Sequence, residues 1–351
     1  MELIPLLTDA VNDQASDIFI VAGRAFSYKK NGVVIRMYDR LMPKDTGALI
    51  QEIYDLAGKR DISRFQEHGD DDFSFALPGL ARFRVSTYKQ RGSMAAVIRV
   101  INFRLPDPTQ LGIPENILKL GDLSKGMVLV TGPAGSGKST TLACIIDYIN
   151  KNKEYHIITL EDPLEFLHSH KNSIVSQREI SADTDSYITA LRASLRQSPD
   201  VILLGEMRDY ETINVAMTAA ETGHLIFSSL HTLGAAKTID RIIDVFPANQ
   251  QHQIALQLSM TLQAVVSQQL LPDVNGGRVP AFEIMTLNPA IRNMIRDSKI
   301  PQIDGLLAGA SSPGMISMDQ SIFKLYQEGR ITRDTALSFA SNQEVMKRKL
   351  G

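Results

Sequence analysis

The sequence predicts two domains: a small α+β domain, followed by an α/β domain built on a parallel sheet. Its 351 residues suit two domains of ordinary size. A proline-rich stretch at 102–114 separates a strand-rich first third from the rest of the chain. Beyond it, short apolar runs alternate with helix-length segments, which is typical of a parallel sheet buried on both faces.

The first domain, residues 1–101, is predicted to be a sheet with helices on one face. One helix is expected from Glu2 to Asp13, and Pro43 opens a second one. The second helix places apolar residues at i, i+3, i+4 spacing: Leu49, Ile50, Ile53, Tyr54 and Ala57. The Asn31-Gly32 pair signals a tight turn between strands. Strands are expected at 17–22, 33–37, 73–77, 83–88 and 95–101.

The second domain, residues 115–351, follows a linker at 102–114. The linker contains three prolines, and each proline restricts itself and the preceding residue away from helix. The buried strands are expected at 128–131, 157–160, 201–204 and 225–228. From Gln250 onward the sequence predicts mostly helix, with a Pro/Gly-rich break at 272–280.

Composition excludes several classes of protein. The 37 basic and 39 acidic residues give a net charge of −2, so the whole chain has no electrostatic attraction for nucleic acid or anionic lipid. Cys144 is the only cysteine, which excludes intrachain disulfides and zinc sites built from several thiolates. No apolar run reaches the length of a membrane span, and the N-terminus lacks a signal-peptide pattern. We therefore predict a cytoplasmic protein that does not insert into a membrane.

A phosphate-binding motif lies between a predicted strand and a predicted helix. Residues 132–139 read Gly-Pro-Ala-Gly-Ser-Gly-Lys-Ser and match the pattern G-x-x-x-x-G-K-[ST]. Its backbone N–H groups surround phosphate oxygens, Lys138 reaches the β and γ phosphates, and the Ser139 hydroxyl binds Mg²⁺. A glycine-rich turn with a solvated lysine is the alternative, and the strand–loop–helix context disfavours it. The sequence thus predicts that ATP and Mg²⁺ are bound by Gly132, Pro133, Ala134, Gly135, Ser136, Gly137, Lys138, Ser139 and Thr140.

Two acidic residues follow other predicted strands. Hydrolysis of ATP needs one acid to hold the metal and one to orient the attacking water. Glu161 follows the strand at 157–160, and Glu206 follows the strand at 201–204. Gly205 stands where many P-loop proteins carry aspartate, so Glu206 is expected to take that role. For either glutamate alone, a surface or capping carboxylate is an equally good interpretation.

Histidines and arginines give weaker signals. His224 precedes and His231 follows the strand at 225–228, and a histidine at the carboxyl end could sense the γ-phosphate. Considered singly, each is better interpreted as a structural hydrogen-bonding residue.

The late strands of the first domain carry Arg82, Arg84, Arg91 and Arg99. Such arginines could neutralise charge that develops on a γ-phosphate, although a solvated face is the simpler interpretation for any one of them.

Taken together, these motifs resemble the secretion-type hexameric ATPases, and within them the PilT family of type IV pilus retraction ATPases. The resemblance extends from about Ala15 to the C-terminal region. It rests on five segments in the family's order: 132–140, 160–166, 205–209, 222–232 and 236–247. A sixth segment, Pro-Ala-Ile-Arg-Asn-Met-Ile-Arg-Asp at 289–297, looks like the retraction family's AIRNLIRE helix. With one cysteine, the chain lacks the four-cysteine zinc module usual in extension and type II secretion ATPases.

The resemblance implies a small PAS-like domain joined to a RecA-like ATPase domain, assembled as a ring of six with ATP between the two domains. It implies that Glu161 polarises water and that Glu206 supports the metal, although these two roles could be exchanged. It assigns functions to His224 and His231. It also makes Arg82, Arg84 and Arg99 candidates for completing the catalytic site.

The resemblance further implies a motor that drives retraction of a type IV pilus. Its expected partners are five more copies of the chain and the inner-membrane platform protein, reached from the inner face of the cytoplasmic membrane, with no nucleic acid involved. An accessory paralogue, or a motor of a related secretion or DNA-uptake system, is the alternative within this class. A nucleic-acid motor and a scaffold that binds ATP without turnover are alternatives from other classes.

Overall fold

The structure is a computed structural model that describes residues 2–30, 32–101, 105–207, 209–309 and 314–351. Asn31 of the predicted turn and residues 102–104 of the predicted linker lie outside the described residues. The chain separates into two compact units. The first is Met1–Arg104 with Glu165–Leu167, and the second is Leu105–Leu164 with His168–Gly351.

The first unit contains one antiparallel sheet. Its strands are β1 (Asp17–Ile20), β2 (Ala25–Lys30), β3 (Val33–Arg40), β4 (Asp70–Leu77), β5 (Ala81–Gln90) and β6 (Ser93–Ile101). They lie in the order β3-β2-β1-β6-β5-β4, and every pair is antiparallel. Its helices are α1 (Leu3–Asn12), α2 (Pro43–Leu56) and α3 (Ser63–His68).

One face of this sheet packs against the helices. The apolar residues predicted for α2 are nearly all inside, with Leu49, Ile50, Ile53 and Tyr54 no more than 1% exposed. They join residues of β5 and β6, such as Phe83, Val85 and Ile98, in one core. Burial of each large side chain of this kind contributes about 1.5–3 kcal/mol. The prediction of a sheet with helices on one face is confirmed.

The second unit contains a mostly parallel sheet. Its strands are β7 (Gly126–Thr131), β8 (His156–Glu161), β9 (Ile174–Glu179), β10 (Val201–Leu204), β11 (Leu225–Leu230), β12 (Leu262–Pro272) and β13 (Arg278–Thr286). They lie in the order β13-β12-β7-β11-β10-β8-β9, in which only the β12–β13 pair is antiparallel. Strands β7, β10 and β11 are buried along their whole length, as a sheet covered on both faces requires.

Helices and one 3₁₀ turn surround this sheet. They are α4 (Glu115–Leu118), the 3₁₀ turn (Lys119–Asp122), α5 (Lys138–Asn152), α6 (Tyr187–Ser194), α7 (Tyr210–Glu221), α8 (Ala235–Asp244), α9 (Ala248–Thr261), α10 (Pro289–Arg296), α11 (Pro301–Ala308), α12 (Met318–Gln327), α13 (Arg333–Phe339) and α14 (Gln343–Leu350). None of the helices in the described ranges combines the length and apolarity of a membrane span.

One sequence prediction was wrong in the second half of the chain. The region from Gln250 was expected to be mostly helical, yet 262–286 forms the hairpin β12–β13 that extends the sheet beside β7. The Pro/Gly-rich break is the turn of this hairpin. Strand β9 was not predicted at all, because its polar residues 176–178 do not form an apolar run. The α/β fold class itself is confirmed.

Candidate active site

The phosphate-binding motif forms a loop between β7 and α5. Gly132 has a φ of 140°, and a Cβ atom there would lie 2.2 Å from the carbonyl oxygen of Gln268 on β12. Gly137 precedes α5 with a φ of 90°, and a Cβ atom there would lie 2.9 Å from Nε2 of Gln268. A side chain is therefore excluded at Gly132 by φ and by the backbone of β12, and it is disfavoured at Gly137 by φ. The loop backbone is shaped by this strand as well as by its own glycines.

Lys138 lies over this loop. Its side chain is 8% exposed, and Nζ donates to the carbonyl oxygens of Gly132 at 2.9 Å and Pro133 at 3.0 Å. Ser136 Oγ is buried and has no hydrogen-bond partner among the residues that the structure describes. Ser139 and Thr140 occupy the first turn of α5, whose N–H groups are free of helical partners. This arrangement of donors and a cation fits a polyphosphate.

Two glutamates stand at the same edge of the sheet as this loop. Glu161 is the last residue of β8, and Glu206 lies two residues beyond β10. Strands β7, β11, β10 and β8 are adjacent and parallel, so their carboxyl ends share one edge. Gly205 N–H donates to the Leu160 carbonyl oxygen at 2.8 Å, which joins the ends of β8 and β10. The structure thus brings both predicted acids to the predicted edge.

His231 adjoins Glu206 at this edge. Its Nε2 lies 3.4 Å from Oε2 of Glu206, whose side chain is only 15% exposed. A cavity of about 380 Å³ opens beside the pair, and its polar lining includes Ser229, Thr232 and Arg241. Ser229 Oγ also donates to the Gly205 carbonyl oxygen at 2.6 Å, which orients the backbone just before Glu206.

His224 lies at the opposite, amino edge of the sheet. It precedes β11, and its Nδ1 lies 3.0 Å from the carbonyl oxygen of Ala219 near the end of α7. Since β11 has six residues, about 20 Å of extended strand separate it from His231. The structure therefore does not bring His224 to the edge that carries the phosphate loop in its own chain.

The predicted arginines belong to the first unit. Arg82 and Arg84 lie on β5, and Arg84 pairs directly with Arg99 of β6, so all three share one face of the sheet. This face is opposite the one that carries the core residues. Arg99 Nε contacts Asp17 Oδ1 at 3.2 Å. Arg91, which was expected on a strand, lies instead in the turn between β5 and β6 with a φ of 49°.

The retraction-type motif at 289–297 forms α10 as predicted. Asn288 caps it by accepting from Ile291 N–H at 2.9 Å, and Ile291 and Ile295 are fully buried. Arg292 Nη1 donates to the Ser259 carbonyl oxygen at 2.7 Å and to two further carbonyl oxygens at the end of α9. Arg296 is half exposed. The two arginines thus differ in role, since only Arg292 caps a neighbouring helix.

Sequence reasoning missed the side chains that support the site from β12 and β9. Gln268 Oε1 accepts from Thr141 Oγ1 at 2.7 Å, which ties β12 to the first turn of α5. Gln177 Oε1 accepts from His168 N–H at 2.7 Å, and Glu179 Oε2 accepts from Leu164 N–H at 3.4 Å. These two contacts hold both ends of the segment that follows Glu161. Gln268 and Thr141 are 127 residues apart, so no local signal reveals such a pair.

The donor set fits ATP and a magnesium ion. Magnesium prefers oxygen ligands and usually combines one or two protein groups with phosphate oxygens. The Ser139 hydroxyl and the Glu206 carboxylate are such groups. The donors of the loop and these oxygen groups are thus of the kinds that bind a triphosphate and its metal.

Known proteins resemble this chain over nearly its whole length. Residues 2–299 match the family described as type II/IV secretion system protein. The chain is 45% identical over 336 residues to the type IV pilus retraction ATPase PilT of Pseudomonas aeruginosa, covering 96% of this chain and 97% of that protein. It is 50% identical over 283 residues to a twitching motility protein of Neisseria gonorrhoeae, covering 80% of this chain and 76% of that protein.

Solved structures support the same relationship. The crystal structure of the pilus retraction motor PilT with bound ADP superposes with a TM-score of 0.90 at 44% identity, covering 99% of each chain. This match confirms the predicted fold class, a RecA-like core preceded by a small α+β domain. The chain therefore belongs to the type II/IV secretion system protein family, and it is an ATPase.

Proposed function

We propose that this chain is the ATP-hydrolysing motor subunit that powers type IV pilus retraction and hence twitching motility. The observation that carries the proposal is a phosphate loop with Glu161 and Glu206 at one sheet edge, in a chain 45% identical to a pilus retraction ATPase. ATP and ADP are its nucleotides. Mg²⁺ is proposed as the metal, held by Ser139 and Glu206.

The site residues have distinct proposed roles in hydrolysis. The loop N–H groups and Lys138 bind the phosphates. Mg²⁺ held by Ser139 and Glu206 would neutralise part of the phosphate charge. Glu161 orients a water molecule and accepts a proton from it. The oxygen of this water forms a bond to the γ-phosphorus. The bond from the γ-phosphorus to the β–γ bridging oxygen breaks, and ADP leaves with that oxygen. Glu161 and Glu206 could exchange the roles of water activation and metal support.

His231 is proposed to orient Glu206, because the two side chains are 3.4 Å apart. His224 is also proposed to act in the catalytic cycle. Only the resemblance supports this role, since His224 lies at the other sheet edge.

Arg82, Arg84 and Arg99 remain predicted to complete the catalytic site. Their common sheet face supports this, because it places the three guanidinium groups close together, with the Asp17 carboxylate beside Arg99.

The assembly and cellular setting are further parts of the proposal. We infer a homohexamer that acts on the inner-membrane platform protein at the base of the pilus, from the cytoplasmic face of the membrane. Contact with the membrane is expected through that partner, without insertion of the chain and without a nucleic acid.

Hydrolysis of ATP by the purified protein tests the enzymatic part. Wild type is compared with Glu161→Gln and Glu206→Ala at a range of Mg²⁺ concentrations, with mass measured by light scattering with and without ATP. We expect a hydrolysing hexamer and losses of roughly 100-fold or more in both variants. Glu154→Gln changes an exposed carboxylate just before β8, at the opposite edge of the sheet, and is the control, expected to stay near wild type. A monomer that binds ATP without turnover would favour a nucleotide-gated scaffold.

Complementation tests the pilus function. The chain is expressed in a Pseudomonas aeruginosa strain that lacks its own retraction ATPase, and twitching zones are measured. Restored twitching by wild type but not by Glu161→Gln supports a motor. Turnover that single-stranded DNA stimulates several-fold would instead favour a nucleic-acid motor.

A further inference from the structure

A buried carboxylate on β13 joins two helices of the second unit. Glu283 is 7% exposed, and its Oε1 accepts from Ala235 N–H at 2.7 Å while Oε2 accepts from Met318 N–H at 3.3 Å. Ala235 is the first residue of α8, and Met318 is the first residue of α12. One side chain therefore caps two helices that start 83 residues apart, the difference between positions 318 and 235.

The surroundings of the Glu283 carboxylate disfavour its charged form. Burial raises the pKa of Glu283, and the N–H groups of Ala235 and Met318 lower it only in part. The charged residues that act on it through space, Asp304 and Asp319, are acidic and raise its pKa further. A buried carboxylate costs free energy that an apolar residue would not, which favours a geometrical role for its two hydrogen bonds.

The first of the two helices capped by Glu283, α8, follows the catalytic edge closely in the sequence. His231 follows β11, and only Thr232, Leu233 and Gly234 separate it from α8. Gly234 N–H donates to Ser267 Oγ at 2.9 Å, and Thr238 Oγ1 donates to the Gly234 carbonyl oxygen at 2.8 Å. The last residue of the short segment after His231 is thus held through both its N–H and its carbonyl group, and Glu283 holds the junction of this segment with α8.

The second helix that Glu283 caps begins the C-terminal group of helices. Met318, Ile322 and Leu325 of α12 pack with Ala336 of α13 and Met346 of α14 in a separate core. A cavity of about 390 Å³ lies beside Gly234, Glu283 and Met318. The Glu283 hydrogen bonds therefore join the starts of α8 and α12 beside a cavity, where the two helices approach β13.

We propose that Glu283 is a positioning residue that holds His231 against Glu206 and makes this geometry depend on where α12 lies. The proposal rests on the proposed ATPase function of the same site. The C-terminal helices would then affect the catalytic edge through the Glu283 carboxylate and the three residues between His231 and α8.

A double-mutant cycle tests the route. Glu283→Ala, His231→Ala and the double variant are compared with wild type for kcat and KM of ATP hydrolysis. We expect Glu283→Ala to lower kcat about tenfold with KM within about twofold, and to add less than about twofold in the His231→Ala background. Glu283→Gln should fall between wild type and Glu283→Ala, because the amide oxygen still accepts one N–H.

Ser317→Ala is the matched control. Ser317 Oγ caps the same end of α12 by accepting from Gln320 N–H at 3.3 Å, without reaching α8. The variant should lower the melting temperature and leave kcat within about twofold of wild type. If Glu283→Ala does not give a folded protein, Glu283→Gln carries the cycle.

Three outcomes would overturn the proposal: an unchanged kcat in both Glu283 variants, losses that multiply in the double variant, or an equal loss of kcat in Ser317→Ala. Failure of the proposed function looks different. In that case wild type does not hydrolyse ATP, or Glu161→Gln and Glu206→Ala keep full activity.

Discussion

The two ends of β11 carry the same kind of side chain in different surroundings. At the carboxyl end, His231 contacts Glu206 beside a cavity, whereas at the amino end His224 contacts a backbone carbonyl oxygen of α7. The strand direction decides the difference, because the loops that leave a parallel sheet at its carboxyl ends are the ones that surround a ligand. We therefore expect substitutions at the carboxyl edge to change turnover, and those at the amino edge to change mainly stability.

The largest contrast is expected along α5, which connects the two edges. Lys138→Ala at its first turn should lower kcat/KM roughly 100-fold or more, since removing one group that stabilises developing charge costs about 10² to 10³. Lys151 sits at the other end of α5, where its Nζ contacts Asp147 Oδ2 at 2.7 Å. Lys151→Ala should keep turnover within about twofold, because Lys151 lies at the amino edge and the nearly buried Asp147 keeps its ion pair with Lys171. Steady-state ATPase kinetics measure both, and equal losses would refute the contrast.

A smaller loss is expected for His231→Ala. The variant removes a partner 3.4 Å from Glu206 and should lower kcat by about 10-fold to 100-fold, with little change in KM, because a misplaced catalytic group costs up to about 10²-fold. His231→Gln retains a polar group of similar reach and serves as the conservative control. A rise in KM with kcat unchanged would show that His231 binds nucleotide and does not orient Glu206.

A still smaller effect on turnover is expected for His224→Ala. We predict unchanged ATP affinity, a kcat loss smaller than that of His231→Ala, and a decrease of about 1 kcal/mol in the free energy of unfolding from the lost hydrogen bond. Nucleotide titration, kinetics and urea denaturation measure the three quantities. A kcat loss larger than that of His231→Ala would mean that His224 serves a catalytic site other than the edge of its own chain.

No effect on turnover at neutral pH is expected for His168→Gln, which changes stability in acid. Burial lowers the pKa of His168 from 6.5 to about 4, opposed by the nearby Asp147 carboxylate. Between about pH 6.5 and pH 4, His168 binds a proton in the unfolded chain and not in the folded chain. The stability that depends on neutral His168 is therefore complete above pH 6.5 and is lost as the pH falls toward about 4. The loss reaches about 3 kcal/mol in wild type and should be absent from the variant. Urea denaturation at pH 7, 6, 5 and 4 measures it, and parallel pH dependence in both proteins would contradict it.

The carboxyl edge of the sheet could be predicted largely from the sequence, because its signals are local. A buried apolar run followed by a glycine-rich loop or an acid marks each strand end, as it does for β7, β8 and β10. Strand direction follows from the alternation with helices. The order of the strands follows from none of these signals, yet it decides how close Glu161 and Glu206 lie to each other and to the loop.

The hairpin β12–β13 shows where local signals fail. Residues 262–272 are apolar enough for a buried helix or a buried strand, and the choice depends on pairing with β7, more than 130 residues earlier in the chain. Gln268 and Glu283 are polar residues on buried strands, and their partners lie on distant helices. Such residues become interpretable only when the tertiary contacts are known.

Gly205 has a consequence for how this site can evolve. A Cβ atom at this position would lie 2.9 Å from the hydroxyl oxygen of Tyr187 and 3.4 Å from Cα of Glu161. The aspartate that many P-loop proteins carry here cannot enter while the tyrosine keeps its place, so the acid stands one residue later. The residues allowed at positions 205 and 187 are therefore coupled. We expect a relative with aspartate at position 205 to carry a side chain smaller than tyrosine at position 187.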